Sequence, residues 1–216
     1  MLPTVLIENF WYLVRGAGFT VLLSIATVIP STVIGVLVAL LRIFGGRLLR
    51  GLMGVYLYII RGVPLLVLLF FMYFVLPFSG INLPPVLGGI LVMSIYFGAF
   101  MSEVFRAAIL SLPKAQWDAA RSLGMPRPLM LRIVIFPQVF RVVAPPFVNT
   151  CVLLIKSTSL VSIISMWELT LAGREVAERT FAPLQIFGGV AALYFVLCYS
   201  LSRYGLYLEE RTRFVH

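Results

Sequence analysis

Charged side chains are scarce in this sequence. Asp, Glu, Lys and Arg make up 12% of its 216 residues, whereas hydrophobic residues make up 61%, and the mean hydropathy is +1.05. Soluble domains are about 25% charged and about 45–50% apolar. A chain of this length has no core large enough to bury the surplus of apolar surface. The composition therefore excludes an ordinary soluble domain and predicts that much of the surface faces lipid.

Histidine and cysteine are nearly absent, which excludes several kinds of chemical site. His216 is the only histidine, and Cys151 and Cys198 are the only cysteines. Both cysteines lie in apolar runs without metal-ligand or disulfide spacing, so we expect small core residues. The sequence also lacks an HExxH motif and a GxxxxGK[ST] phosphate loop. We therefore predict no catalytic site, no metal site and no ATP site in this chain.

Acidic residues number 8 against 17 basic ones, which gives a net charge of +9. Such an excess is typical of nucleic-acid-binding proteins and of the cytoplasmic flanks of membrane helices. The long apolar runs favour the second interpretation, so we predict membrane lipid and no nucleic acid as a partner. The first residues lack the basic region, short apolar core and cleavage site of a signal peptide, and none is expected to be removed.

Five apolar runs are long enough to cross a bilayer as helices, which takes about 20 residues. They cover residues 16–41, 52–76, 86–110, 140–166 and 183–202. In the first, Ser31, Gly35 and Ala39 form a stripe of small residues that lets another helix approach closely. The second is interrupted at residues 61–64, Arg-Gly-Val-Pro. The prediction is an all-α integral membrane protein with five transmembrane helices.

The charges of the connecting segments predict the orientation. Arginine and lysine concentrate after the first, third and fifth runs, whereas residues 78–85 carry no charge and residues 167–182 balance basic against acidic residues. Basic segments are retained on the cytoplasmic side of a membrane. The N-terminus is therefore predicted outside and the C-terminus in the cytoplasm, which requires an odd number of spans.

Residues 111–137, between the third and fourth runs, predict a short cytoplasmic helix. Pro113 suits a first helical turn, where its missing N–H costs little. Gly124 is expected to end the helix, and Pro126 and Pro128 to prevent its restart. Alanines four residues apart between these points share one face, which suits docking in a groove of a partner. A solvated helix without a partner is the alternative.

The same segment resembles the signature loop of ATP-binding-cassette (ABC) importer permeases. The family pattern is Glu-Ala-Ala, three residues, Gly, nine residues, and Ile-x-Leu-Pro. This chain has Asp-Ala-Ala at residues 118–120, Gly124, and Val-Ile-Phe-Pro at residues 134–137. The spacing is intact, and the replacements of Glu by Asp, Ile by Val and Leu by Phe are conservative.

Three further segments resemble the polar-amino-acid branch of that family. They are Arg-Gly-Val-Pro-Leu-Leu at residues 61–66, Ser-Glu-Val-Phe-Arg-Ala-Ala-Ile at 102–109, and Lys-Ser-Thr-Ser-Leu-Val at 156–161. In the last, Ser157 stands where the branch has Asp. The likeness covers nearly the whole chain in order.

The resemblance implies a single permease domain over residues 1–216 in a bacterial cytoplasmic membrane. Two copies, or two related subunits, would form one pathway, and an extracytoplasmic amino-acid-binding protein would deliver cargo to an outer loop at residues 167–179. Two separate ATPase subunits, which would hold ATP and Mg, would dock on the short cytoplasmic helix. The residues expected at that contact are Lys114, Gln116, Asp118, Ala119, Ala120 and Gly124.

Ionisable residues at membrane depth are costly and are therefore candidates for function. Glu103 and Arg106 are expected to form a structural ion pair near the inner surface, with a gate as the alternative. Lys156 lies about 22 Å along a helix beyond Arg141 and is expected to face a watery cavity or another subunit. A structural lysine bonded to backbone carbonyls is the alternative.

Lys156 is predicted to line a cargo pocket and to attract a carboxylate. The predicted pocket residues are Ser94, Tyr96, Asn149, Thr150, Lys156 and Ser157. The resembled branch often has an acid at the position of Thr150, and its absence here disfavours a cationic cargo. We expect import of a neutral or acidic polar amino acid by alternating access. An ion-coupled secondary transporter is the rival, but the internal inverted repeats typical of that class are not evident.

Overall fold

The computed structural model describes residues 4–212, and every regular element in that range is helical. The α-helices, numbered α1 to α10, are Thr4–Glu8, Phe10–Phe44, Arg47–Gly62, Leu65–Phe70, Pro85–Ser111, Lys114–Ser122, Arg127–Met130, Phe136–Ser157, Leu169–Thr180 and Pro183–Thr212. Short π and 3-10 segments are Phe71–Val75, Leu76–Ser79, Leu131–Ile135 and Thr158–Ile164. The prediction about His216 falls outside the described residues.

Within that range, four helical stretches are long and apolar enough to cross a bilayer. They are Phe10–Phe44, Pro85–Ser111, Arg127–Ile164 and Pro183–Arg211. A fifth span is present if the bent pair Arg47–Gly62 and Leu65–Ser79 crosses the bilayer as one unit. The structure is therefore an all-helical membrane protein with four or five spans, in the order that the apolar runs predict.

The second predicted span is not a straight helix over residues 52–76. The axes on the two sides of the break after α3 differ by 98°. Val63 is extended, with φ −102° and ψ 131°, because a following proline disfavours the helical conformation. Pro64 itself has no N–H to continue the helical hydrogen bonds. The interruption predicted at residues 61–64 is confirmed, and the structure shows that it turns the chain through nearly a right angle.

Helices α2 and α5 pack closely through small residues, as the stripe in the first apolar run predicts. All three residues of that stripe are buried. A Cβ atom on Gly35 would lie 2.8 Å from the Cβ of Met101. One on Gly98 of α5 would lie 2.6 Å from Cγ2 of Ile34. These contacts leave no room for larger side chains, so the glycines set the separation of the two helices.

The segment predicted as an outer loop at residues 167–179 is instead mostly a helix, α9. Leu169, Ala172 and Val176 are fully buried and pack in one cluster with apolar side chains of α2 and α10. Apolar residues recur here at helical spacing, a pattern that the intervening charges obscured. Arg174 remains exposed, so α9 presents a polar edge to solvent and an apolar face to the bundle.

Candidate functional site

The short helix predicted after Pro113 is present as α6. It ends at Ser122, and the N–H of Gly124 donates to the carbonyl of Arg121 at 2.9 Å. Gly124 has φ +71°, a left-handed conformation that glycine adopts without steric cost. The expectation that two prolines prevent a restart was wrong. Helix α7 begins at Arg127, because proline is tolerated in a first helical turn.

The inner face of α6 is anchored to the transmembrane bundle. Ala120 is 3% exposed and packs in a cluster with residues at the end of α5 and the start of α8. Trp117 joins the edge of that cluster. The amide of Gln138 in α8 donates to Gln116 at 3.3 Å. Because Ala120 is buried, it holds the helix in place and does not present a contact to a partner, in contrast to its assignment in the predicted docking set.

The outer face of α6 is open. Of the predicted docking residues, Lys114, Gln116, Asp118, Ala119 and Gly124 are exposed. The next residue on that face, Leu123, is 80% exposed. A short helix that is fixed on one side and presents small and apolar side chains on the other is suited to seating in a groove of another protein.

The predicted pair of Glu103 and Arg106 lies within a larger charge cluster. Arg106 Nη2 lies 2.8 Å from Glu103 Oε2, and Arg42 of α2 is hydrogen-bonded to the other carboxylate oxygen. Arg61 of α3 is 3.9 Å from the same carboxylate and stacks over the ring of Phe100. One carboxylate therefore ties together α2, α3 and α5. The sequence interpretation missed Arg42 because its partner is 61 positions away.

The six predicted cargo residues do not form one pocket in this chain. Asn149 and Lys156 are exposed on the same face of α8, two helical turns apart. Thr150 is buried, and its hydroxyl donates to the carbonyl of Pro146 at 2.9 Å. Ser157 is partly buried beside Lys156. Asn149 and Lys156 therefore lie on the exposed face of α8, whereas Thr150 is buried in the bundle.

Ser94 and Tyr96, the two predicted cargo residues on α5, lie in packed parts of the bundle. Ser94 is buried, and its hydroxyl has no hydrogen-bond partner among the described residues. Tyr96 is partly buried against the rings of Phe97 and Phe100, with ring centroids 5.4 and 5.0 Å apart. Neither lines the groove that contains Lys156.

Lys156 lies in a groove of about 300 Å³ between α8 and α10. The α10 residues that line it are Ala191, Tyr194, Phe195, Cys198, Tyr199 and Ser202. No described residue forms an ion pair or a hydrogen bond with the Lys156 amine. The backbone-bonded lysine considered as an alternative is therefore not the arrangement seen. A free ammonium group in a largely apolar groove is suited to pairing with a carboxylate supplied from outside the chain.

Glu168 is a fully buried acid that the sequence interpretation treated as part of a charge-balanced loop. It caps α9 by accepting the N–H of Leu171 at 2.9 Å, and it accepts the hydroxyl of Tyr194 in α10 at 2.6 Å. Thr20 of α2 lies within 3.4 Å of the same carboxylate. An acidic residue directly before an apolar run of helical spacing is typical of a helix N-cap. The sequence around Glu168 therefore contains a signal for its capping role.

Comparison with known proteins identifies relatives of this chain along most of its length. Residues 31–214 match the family described as the inner membrane component of binding-protein-dependent transport systems. The chain is 37% identical to the L-cystine transport system permease protein TcyB of Bacillus subtilis, over 94% of this chain and 88% of the relative. It is 34% identical to the glutamine transport system permease protein GlnP of Escherichia coli, over 93% of both chains.

Solved structures give the same result at the level of the fold. An amino acid ABC transporter crystallised with histidines superposes with a TM-score of 0.91 at 27% identity, over 98% of both chains. The MetNI methionine ABC transporter in an inward-facing conformation superposes with a TM-score of 0.82 at 19% identity, over 96% of this chain and 99% of that one. The helical arrangement is therefore shared with ABC transporters along almost the whole chain.

Proposed function

The chain belongs to the family of binding-protein-dependent transport system inner membrane components, as an amino-acid ABC transporter permease, and on this premise we propose how it works. It spans the bacterial cytoplasmic membrane beside a second permease subunit, identical or related. Two ATPase subunits supply the ATP- and Mg-dependent step, and an extracytoplasmic binding protein supplies the cargo. The open outer face of α6 is the observation that carries this proposal.

We propose that α6 transmits force because its two faces have different environments. Its exposed side, with Ala119 and Leu123, seats in the ATPase partner. Its buried side, with Ala120, packs against the ends of α5 and α8. Protein interiors are close-packed and transmit displacement with little compression. Closure of the ATPase pair would therefore move α6 and, through these contacts, the spans that alternate between outward-open and inward-open states.

The proposed cargo is a neutral or acidic polar amino acid. The free amine of Lys156 attracts its carboxylate, with Asn149 and Ser157 nearby on α8. No acidic residue lines the Lys156 groove, so a second positive charge on the cargo would gain no partner there. Glutamine and cystine, named for two relatives, are neutral overall at pH 7. Thr150, Ser94 and Tyr96 are assigned to packing within the bundle.

Uptake by proteoliposomes tests the cargo assignment. The assembled transporter would be supplied with binding protein, internal ATP and labelled glutamine, glutamate, arginine or lysine. We expect Lys156→Gln to reduce uptake at least tenfold and Lys156→Arg to retain a larger fraction of it. Arg203→Gln, a charge removal on α10 outside the groove, is the matched control. Preference for arginine or lysine, or full uptake by Lys156→Gln, would contradict the assignment.

The same vesicles separate an ATP-driven importer from an ion-coupled one. Without ATPase subunits, or with a non-hydrolysable ATP analogue, we expect no accumulation under an imposed proton or sodium gradient. Gradient-driven accumulation by the permease alone would overturn the proposal in favour of a secondary transporter.

A further inference from the structure

Two cavities at the α6 end of the molecule share part of their walls. The first is a groove of about 260 Å³ between α2, α5 and α8. The second, of about 560 Å³, lies between the end of α2, α6 and the segment that follows it. Leu40 and Phe136 line both, so the two cavities are adjacent, and together they are called the recess.

The two ends of this recess differ in chemistry. The groove is walled by aliphatic and aromatic side chains apart from Thr32, whose hydroxyl is already bonded to the carbonyl of Val28 at 2.7 Å. The wider cavity contains Arg121 and Arg127 beside Trp117. One end therefore suits hydrocarbon, and the other suits an anion.

The two arginines are available to a ligand. Arg127 forms no ion pair with any residue between positions 4 and 212. Arg121 lies 3.5 Å from Asp118, but both side chains are about two-thirds exposed, and exposed pairs of this kind contribute little. A phosphate between them would satisfy two guanidinium groups whose planar donors match its oxygens.

We propose that the recess binds one anionic phospholipid of the inner leaflet. One acyl chain occupies the apolar groove, and the phosphate lies between Arg121 and Arg127. The groove is open at the surface of the chain, where Phe140 is 71% exposed. Basic pockets between transmembrane helices on the cytoplasmic side are suited to anionic headgroups, and tryptophan favours this depth. The inference does not depend on the cargo or on ATP hydrolysis.

The proposed lipid lies against α6 on the side of Trp117 and Arg121. Trp117 and Arg121 both belong to α6, and Arg121 projects from roughly the opposite side of that helix to Ala119. A lipid in the recess would therefore pack behind α6 while the side that carries Ala119 remains free for the ATPase. Inner-leaflet composition would then influence how firmly α6 is held against the bundle.

Quenching of Trp117 by brominated lipid tests the site. The full chain carrying Trp11→Phe and Trp167→Phe retains one tryptophan, which lines the recess. It would be placed in vesicles containing phosphatidylglycerol or phosphatidylcholine with brominated acyl chains at equal mole fractions. We expect stronger quenching by phosphatidylglycerol. The preference is expected to fall about fivefold for each of Arg121→Gln and Arg127→Gln.

Two further variants make the result decisive. Arg203→Gln removes an arginine of α10 that does not line the recess and is expected to leave the preference unchanged. Val36→Phe narrows the apolar groove and is expected to weaken quenching by both lipids.

Equal quenching by the two lipids, or a preference that persists in the double variant Arg121→Gln/Arg127→Gln, would overturn the proposal. If Val36→Phe fails to insert, the arginine variants decide. No step requires cargo or ATP, so failure here leaves the transport proposal untouched.

Discussion

Lys156 and Glu168 are both ionisable residues in an apolar bundle, and the two differ in burial and in hydrogen bonding. Lys156 lies at the surface of a groove with no partner among the described residues. Glu168 is fully buried but accepts hydrogen bonds from α9 and α10. Tyr194 links them, since its ring lines the Lys156 groove and its hydroxyl donates to Glu168. A ligand at Lys156 would thus adjoin the network that holds α9.

Glu168→Ala is expected to destabilise the protein by about 1–3 kcal/mol, because it leaves the buried N–H of Leu171 without its acceptor and removes the carboxylate that accepts from the Tyr194 hydroxyl. Glu168→Gln keeps one acceptor oxygen and is expected to cost less. Thermal unfolding of the purified chain in detergent measures both. Glu178→Ala, on the exposed edge of α9, is the matched control, and equal losses for Glu168→Ala and Glu178→Ala would show that the network does not stabilise α9.

The charge cluster at Glu103 leads to a second prediction at this scale. Glu103→Gln leaves Arg42 and Arg106 without their shared carboxylate, both partly shielded from solvent. We expect a lower unfolding temperature than that of Asp118→Asn, which breaks the exposed pair with Arg121. Unfolding curves at one ionic strength make the comparison. If the two substitutions have the same effect, the cluster contributes no more than a surface ion pair.

At the scale of single elements, α6 depends on its terminating glycine. Gly124→Val forces a β-branched residue into a left-handed conformation, at a cost of about 1–2 kcal/mol, and is expected to displace the end of the docking face. Uptake should fall at least tenfold, while insertion stays unchanged. Gly46→Ala is the control, because Gly46 has φ −64° and open space at its Cβ position. Full uptake by Gly124→Val would show that the end of α6 is not needed for coupling.

The contact between α2 and α5 makes a similar prediction. Gly98→Leu would drive side-chain atoms into Ile34, which already lies within 2.6 Å of a Cβ at that position. Overpacking of this kind typically costs about 1–3 kcal/mol, so we expect a lower unfolding temperature. Gly18→Leu, in a helix position with open space, is the control. Equal stability of the two variants would contradict the assigned closeness of the helices.

Several elements were predictable because one local signal decided them. Pro113 and Gly124 predicted the start and the end of α6, and residues 61–64 predicted the break after α3. Helix α9 was missed because charged residues interrupt its buried apolar positions, so the segment did not stand out as an apolar run and was predicted as a link between two spans. The restart at Arg127 was missed because proline has opposite effects in the first turn and in the interior of a helix.

The candidate site was less predictable than the helices, because its geometry depends on distant pairings. Sequence spacing placed Glu103 beside Arg106, but gave no signal that Arg42 shares the carboxylate. Of the residues proposed around Lys156, Asn149, Thr150 and Ser157 were chosen for polarity and nearness in sequence, and Ser94 and Tyr96 were chosen as polar or aromatic residues of the third span. The structure separates them, since Thr150 faces inward and α10 supplies the groove wall instead.

At the scale of the whole molecule, the arrangement of charge predicts that α6 lies in the cytoplasm and that the turn before α10 lies outside. Leu123 and Phe181 are 80% and 91% exposed, so each is a suitable position for one introduced cysteine after replacement of Cys151 and Cys198. A membrane-impermeant thiol reagent added to intact cells is expected to label Phe181→Cys and not Leu123→Cys. Labelling of both in the permease purified without its ATPase is the control, because the proposed ATPase contact would cover Leu123. The reverse pattern in intact cells would refute the orientation.

The exposed outer face of α6 also has a consequence for a permease subunit that is not assembled with an ATPase. Leu123 is exposed just before the left-handed turn at Gly124, and an unassembled subunit would present this apolar side chain to chaperones and membrane proteases. Docking of α6 in a groove of the ATPase would cover Leu123. The cellular amount of the protein would then follow the supply of its ATPase, and balanced stoichiometry would arise from degradation of the excess.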